Sequence, residues 1–249
     1  MATAKIASNP ATAVTASSAS TALTANPAKP ASILLAIDTC TRRASLALRD
    51  ATTLRAEITW ECQRQHTAAV SAKIQDLLQT SQIDPAEIGA VAVAIGPGSF
   101  TGVRCGLAIG KGIATANHLP MIGLPAFEVI ARAQPNTRQA IYALVEAGRS
   151  RVAVCRYEWV EGELVVADTW RVMGFDEWVE DIKSPAWVCG DLAPALLKAL
   201  QARTKLKVEV APAWLNLRRA GVLAELAYAN WQRGEVQDAA AVLPIYPPE

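Results

Sequence analysis

Residues 90–117 do most to limit the folds open to this chain. Residues 90–95 (AVAVAI) are apolar on both faces of an extended segment, so they predict a central strand covered on both sides. Gly96-Pro97-Gly98-Ser99 turns the chain, and residues 100–117 read as a helix with Ser99 as N-cap. A buried strand delivered straight into a helix is the building unit of an α/β fold.

The flanking segments extend that unit. Residues 33–38 (ILLAID) form a short apolar run ending in an acid, and residues 44–49 and 54–60 follow as two further strands of an antiparallel meander. Val70, Ile74, Leu77 and Leu78 make one apolar stripe on a helix over 66–80. Asp84-Pro85-Ala86-Glu87 has a helix-start pattern that Gly89 cuts to a turn. A strand at 121–123 and a helix after Pro125 close the first half, and Pro135-Asn136 marks a lobe boundary. The second half repeats the order. Strands are predicted at 140–145, 151–159, 164–172, 187–189 and 206–210, with helices at 175–182, 194–200 and 213–233. The expected organisation is a disordered Ala/Thr/Ser-rich tail over 1–31, a lobe over 32–134 and a second lobe over 139–249, whose final helix can return to the first. Two such lobes leave a cleft between them.

Several function classes are excluded on composition. With 24 Lys+Arg against 23 Asp+Glu, there is no basic excess to hold nucleic acid directly. Five cysteines (40, 62, 105, 155 and 189) show no CxxC spacing, so neither a disulfide framework nor a zinc cluster is expected. His66 and His118 lack a histidine partner at helical spacing, so no metal site is expected. No apolar run reaches ~18 residues, so no membrane partner is expected either.

Three places could carry chemistry. Gly96–Arg104 (GPGSFTGVR) sits between strand and helix, where backbone N–H groups can bind an anion. It is not a Walker loop, because no Gly-Lys-Ser/Thr follows, nor a dinucleotide fingerprint, because Thr101 stands where the third glycine belongs; from spacing alone a plain capped turn is favoured over a phosphate site. Gly102, Gly106, Gly110 and Ala114 form a side-chain-poor ridge on the next helix. Each interior glycine costs a helix ~1 kcal/mol relative to Ala, so close approach by another element should compensate. That element is either the lobe's own sheet or a partner's helix. Asp38-Thr39-Cys40-Thr41 ends the first strand, where an acid can orient a metal-bound phosphate or simply bond its own turn.

ILLAIDTCTRRASLAL followed by AVAIGPGSFTGVRCGLAIGKGIA resembles the TsaB (YeaZ) family, the bacterial partner subunit in tRNA threonylcarbamoyladenosine synthesis. The likeness covers roughly residues 33–132 and continues more weakly through Val188–Asp191 (VCGD) to Pro244-Ile245-Tyr246. It implies a two-lobed fold of the actin-like ATPase and sugar-kinase (ASKHA) type, each lobe a mixed sheet with flanking helices. It also implies a cytoplasmic, non-catalytic scaffold that pairs with a TsaD-like catalytic subunit, with a TsaE-like ATPase, or with itself. The complex modifies the adenosine next to the anticodon. On this reading tRNA is met only through the complex, and ATP and metal are used by the partners, with no cofactor held tightly here.

Residue by residue, Asp38, Thr39, Thr41, Gly96, Gly98, Ser99 and Thr101 correspond to a phosphate-proximal loop. The helices over 66–80 and 100–117 correspond to the pairing elements, putting Val70, Ile74, Gly102, Val103, Gly106, Gly110 and Ala114 at the interface. Val70 follows His66 at i+4 where a metal-binding relative has histidine, Thr39 replaces the glycine beside the acid, and Gly190 stands alone where nucleotide binders have a pair. The segment Glu146-Ala147-Gly148-Arg149-Ser150-Arg151-Val152-Ala153 keeps only part of the family pattern, and the chain ends Tyr246-Pro247-Pro248-Glu249 without the usual Leu-Arg. The competing reading is an autonomous ATPase or small-molecule kinase of the same fold. A peptidase lacks any GxSxG, HExxH or spaced Cys–His motif.

Overall fold

The computed structural model describes residues 32–62, 66–148, 150–183, 185–191, 194–202 and 207–246. The expected tail over 1–31 lies outside them.

Two five-stranded sheets organise the chain. The first is built from β1 (Ile33–Asp38), β2 (Arg43–Arg49), β3 (Leu54–Glu61), β4 (Ile88–Ala94) and β5 (Met121–Leu124), in spatial order β3-β2-β1-β4-β5. The second uses β6 (Ala140–Glu146), β7 (Arg151–Val160), β8 (Glu163–Gly174), β9 (Ala186–Asp191) and β10 (Val208–Val210), in order β10-β9-β6-β7-β8. The two orders are the same topology. In each, three strands run as an antiparallel meander and two more join in parallel beside the first. This is the expected two-lobed architecture, each lobe a mixed sheet with flanking helices. It arises because tight turns permit only antiparallel neighbours, whereas β4, β5, β9 and β10 arrive after longer connections.

Among the described residues six α-helices cover the sheets: α1 (His66–Thr80), α2 (Phe100–Asn117), α3 (Ala126–Arg132), α4 (Phe175–Asp181), α5 (Pro194–Ala202) and α6 (Ala220–Gln232). Helices α1 and α2 pack on each other and on the first sheet. Helix α6 crosses β1, β2, β4 and β5 of that same first sheet, with Ala220, Leu223, Ala224 and Ala227 fully buried. Reciprocally, α3 leaves the first half and buries Phe127, Ile130 and Ala131 with Ile141, Ala143 and Val145 of β6. Each half thus lends its last helix to the other half's sheet. The alternate residues of β6, Tyr142 and Leu144, face α4 with Trp178 and Val179.

The final helix is shorter than the 213–233 expected: Leu215 and Asn216 turn back on the Pro212 carbonyl, Asn216 bonds to Gly190 and Ala211, and Arg218 and Arg219 reach Asp38 and Glu57 of the first sheet. Beyond it, the chain returns along the first lobe. Gln237 bridges Met121, Val242 is 1% exposed, and the Ile245 N–H donates to the Ile95 carbonyl.

Candidate functional site

Strand β1 brings Asp38 to its C-terminal end, 1% exposed. Its Oδ1 accepts the Cys40 N–H at 2.9 Å, which is the turn bond expected of such an acid. Its Oδ2 lies 2.9 Å from Nε of Arg218, whose side chain is 2% exposed, and Arg218 also donates to Thr41 Oγ1 at 3.0 Å. Both carboxylate oxygens therefore have partners inside the protein. A metal-bound phosphate would have to displace a buried guanidinium. Arg218 was not legible in the sequence: it is 180 residues away, and only its place just before a helix distinguishes it.

The glycine-rich loop folds onto that same turn. The Ser99 N–H donates to the Cys40 carbonyl at 2.6 Å, and Ser99 Oγ accepts the Gly102 N–H as an N-cap. A Cβ on Gly98 would strike the Cys40 carbonyl, so only glycine lets the two backbones meet. Gly96 has φ +98°, and a Cβ there would lie 2.7 Å from the Ile245 carbonyl. The loop is thus clamped between the 38–41 turn and the returning C-terminal segment. Of the two readings open for it, this geometry favours the capped turn. Thr101 is exposed at the start of α2, and Thr39 turns inward, donating its hydroxyl to the Gly102 carbonyl at 2.7 Å.

The ridge on α2 faces the lobe's own sheet. A Cβ on Gly102 or Gly106 would clash with Thr39, and one on Gly110 would come within 2.6 Å of Val93. Val103 and Val70 are 0% exposed, Ala114 is 1% and Ile74 is 7%. The expected partner contacts through Val70, Ile74, Gly102, Val103, Gly106, Gly110 and Ala114 are therefore corrected: these residues are the packing seam between α1, α2 and the first sheet. The faces left open carry Arg104, Ala108 and Gly112 on α2 and Ala72 and Asp76 on α1, flanked by half-buried Ile109, Ile113 and Leu77. Among the described residues, no atom beyond its own stretch of helix lies within 4 Å of where a Gly112 Cβ would sit.

Between the lobes, Pro97–Phe100, Val145–Gly148, Ala153 and Tyr246 line a cleft of about 350 Å³. Arg104 stacks on Phe100 at 3.6 Å and donates to the Tyr246 hydroxyl at 2.8 Å, closing one wall. Among the described lining residues the only charge is Glu146, which repels rather than binds a polyphosphate; Arg149 lies outside them. Gly190 has φ +131°, and a Cβ there would strike the Leu144 carbonyl, so its single glycine serves the β6–β9 contact. Burial holds the Cys40 and Cys189 thiols far above the usual thiol range, which removes them as thiolate nucleophiles. No group of three potential metal ligands exists among the described residues, and no described helix is long and apolar enough to cross a membrane.

Residues 59–239 match the family described as "TsaD: tRNA N6-adenosine threonylcarbamoyltransferase". The chain is 37% identical over 127 residues to the tRNA threonylcarbamoyladenosine biosynthesis protein TsaB of Escherichia coli, covering 50% of this chain and 54% of that protein. It is 30% identical to the Bacillus subtilis protein of the same name, covering 60% and 66%. The chain thus spans about half to two thirds of the length of these relatives. Among solved structures, a Pseudomonas aeruginosa protein described as similar to peptidase YEAZ superposes with a TM-score of 0.72 at 26% identity. The superposition covers 87% of this chain and all of that one. A structure titled YeaZ from the same organism gives 0.71 at 24%.

Proposed function

Because the chain belongs to the TsaB (YeaZ) family, within the wider tRNA N6-adenosine threonylcarbamoyltransferase family, we propose that it is a non-catalytic pairing subunit in tRNA N6-threonylcarbamoyladenosine synthesis. A TsaD-like subunit carries the metal and the transfer step, a TsaE-like ATPase completes the assembly, and the adenosine beside the anticodon is the target. The observation that carries this reading is the Asp38–Arg218 pair. The acid that a phosphotransfer enzyme of this fold would use is bonded within the protein on both oxygens.

Pairing runs through the open faces of α1 and α2 rather than through the buried seam. Gly112 supports this choice: an interior helical glycine with open space around it has no packing reason among the described residues. The same face serves for a second copy when the chain is alone. tRNA is reached only through the complex, and this chain holds no cofactor of its own.

The test is reconstitution. Unmodified tRNA and an activated threonylcarbamoyl donor are incubated with the partner subunits, with and without this chain, and the modified nucleoside is measured. Modification should require the chain, while the chain alone should neither hydrolyse ATP nor modify tRNA. ATP turnover by the isolated chain, lost in Asp38→Asn, would establish the competing autonomous ATPase reading.

A further inference from the structure

Each sheet ends on two edge strands, and an open edge offers unpaired N–H and C=O groups to another chain. Among the described residues, three of the four edges are guarded. The returning C-terminal segment bridges β5 at Met121 and Gln237, β10 has only three residues, and β8 carries a register shift on either side of Arg156. Such shifts bend a strand and break up its edge. β3 is the exception. It pairs with β2 without a shift from Ala56 to Glu61, and no described strand flanks its other side.

Two bonds fix the direction of its backbone groups. The Cys62 N–H donates to the Arg42 carbonyl, and the Ile58 carbonyl accepts the Ser45 hydroxyl. Even-numbered residues from 56 to 62 therefore turn their backbone toward β2, and Glu57, Thr59 and Glu61 turn theirs outward. The side chains alternate as well. Ile58 and Trp60 lie half-buried against the first core, while Glu57 and Thr59 meet Arg219 and Ser45 on the opposite face, under the start of α6.

We propose that a second copy of this chain adds to the β3 edge, antiparallel across a two-fold axis at Ile58, so that the first sheets of the two copies become continuous. Outward groups must meet outward groups, and only an axis at Ile58 or at Thr59 then pairs most of the straight run. Charge chooses between them. An axis at Thr59 sets Glu57 against the partner's Glu61, twice over, and like charges directly opposite are destabilising. An axis at Ile58 sets Glu57 against the partner's Thr59, Ala56 against the partner's Trp60 and Ile58 against itself, and it brings Glu61 beside the partner's Arg55. The contact uses no residue of α2, so it stands apart from the helix face assigned to pairing above.

The test is a disulfide trap in the full chain. An axis at Ile58 places that residue opposite its own copy at a non-hydrogen-bonded position, where Cα atoms lie about 4.5 Å apart, within the span of a disulfide. Ile58→Cys should therefore give a covalent dimer on non-reducing gels after incubation with oxidised glutathione. Ala56→Cys should not, because its two copies would stand about 13 Å apart along the strands. The wild type is the control, its described cysteines being buried. Thr59→Pro removes an outward N–H and no bond to β2, so adding it to Ile58→Cys should abolish the cross-link. Glu61→Arg is an exposed change that sets two arginines together, and it should lower the cross-linked fraction severalfold with the melting temperature unchanged. Absence of a cross-link in Ile58→Cys, equal cross-linking in Ala56→Cys, or a yield unaltered by Glu61→Arg would overturn the proposal.

Discussion

Arg218 and Asp38 form a single buried ion pair, 2.9 Å apart across 180 residues of sequence, and it ties the segment before the last helix to the end of the first strand. Removing one member of a buried pair strands the other charge, which costs about 3–5 kcal/mol. Arg218→Ala should therefore lower unfolding stability by that amount in urea titrations, and Asp38→Asn by a comparable one. Replacing both with Leu should recover most of the loss. If the single variants melted like the wild type, the pair would carry no structural weight.

How much of this could be read in the sequence follows from what each signal reports. Strands such as residues 33–38 and the 66–80 and 100–117 helices are local patterns of period and punctuation, and they match the elements found. The capping pattern at Asp84 was equally local, and it closes a single short turn over Pro85–Glu87. The glycine ridge was visible as small residues at every fourth position, but helix geometry is silent on which neighbour fills the groove. Thr39, just past the end of β1, and Val93 of β4, the strand that leads into the helix, do so. Arg218, Glu57 and the exchange of α3 and α6 between sheets are pairings at long range, and no period records them.

Helix α6 starts without a side-chain cap of its own, since Arg219 occupies the cap position. Its first donors are met from the first sheet instead. Ser45 Oγ accepts the Ala220 N–H and Glu57 Oε1 accepts the Gly221 N–H, each at 2.9 Å. Glu57 also pairs with Arg219 and places a negative charge at the positive helix end. Glu57→Ala should cost about 1–2 kcal/mol, in line with lost caps. Glu57→Gln keeps an acceptor and should cost less. Chemical denaturation of the three proteins checks the ranking.

Asp50 organises the turn between β2 and β3. Its carboxylate accepts the backbone N–H groups of Thr52 and Thr53, each at 2.8 Å, and those bonds hold its pKa far below the usual carboxylate range. A depressed acid contributes stability that is whole above its ordinary value of 3.8 and is lost as the pH falls, because the unfolded chain takes up the proton first. Thermal melts between pH ~5 and ~2 should show a smaller acid-side decline in Asp50→Asn than in the wild type. The variant should also be slightly less stable at neutral pH, the residue being at the surface. Parallel curves for the two proteins would count against the role given to this carboxylate.

Two glycines on α2 separate packing from pairing. Gly106 faces Thr39 and Ile37, so Gly106→Leu inserts a side chain where a single Cβ already clashes. Overpacking of that kind costs about 1–3 kcal/mol or more, and the melting temperature should fall. Gly112 faces open space among the described residues, so a Cβ there meets nothing, and Gly112→Leu gains up to ~1 kcal/mol of helix propensity. If the open faces of α1 and α2 are where a partner sits, Gly112→Leu should fold as well as or better than the wild type and yet fail to associate. A self-pairing across a two-fold axis would meet the inserted side chain twice. Gly106→Leu should show the opposite pattern, a weaker fold whose folded fraction still associates. Thermal melts, size-exclusion chromatography and a pull-down with the TsaD-like subunit distinguish the two patterns. A Gly112→Leu variant that associates like the wild type would move the pairing surface away from these helices.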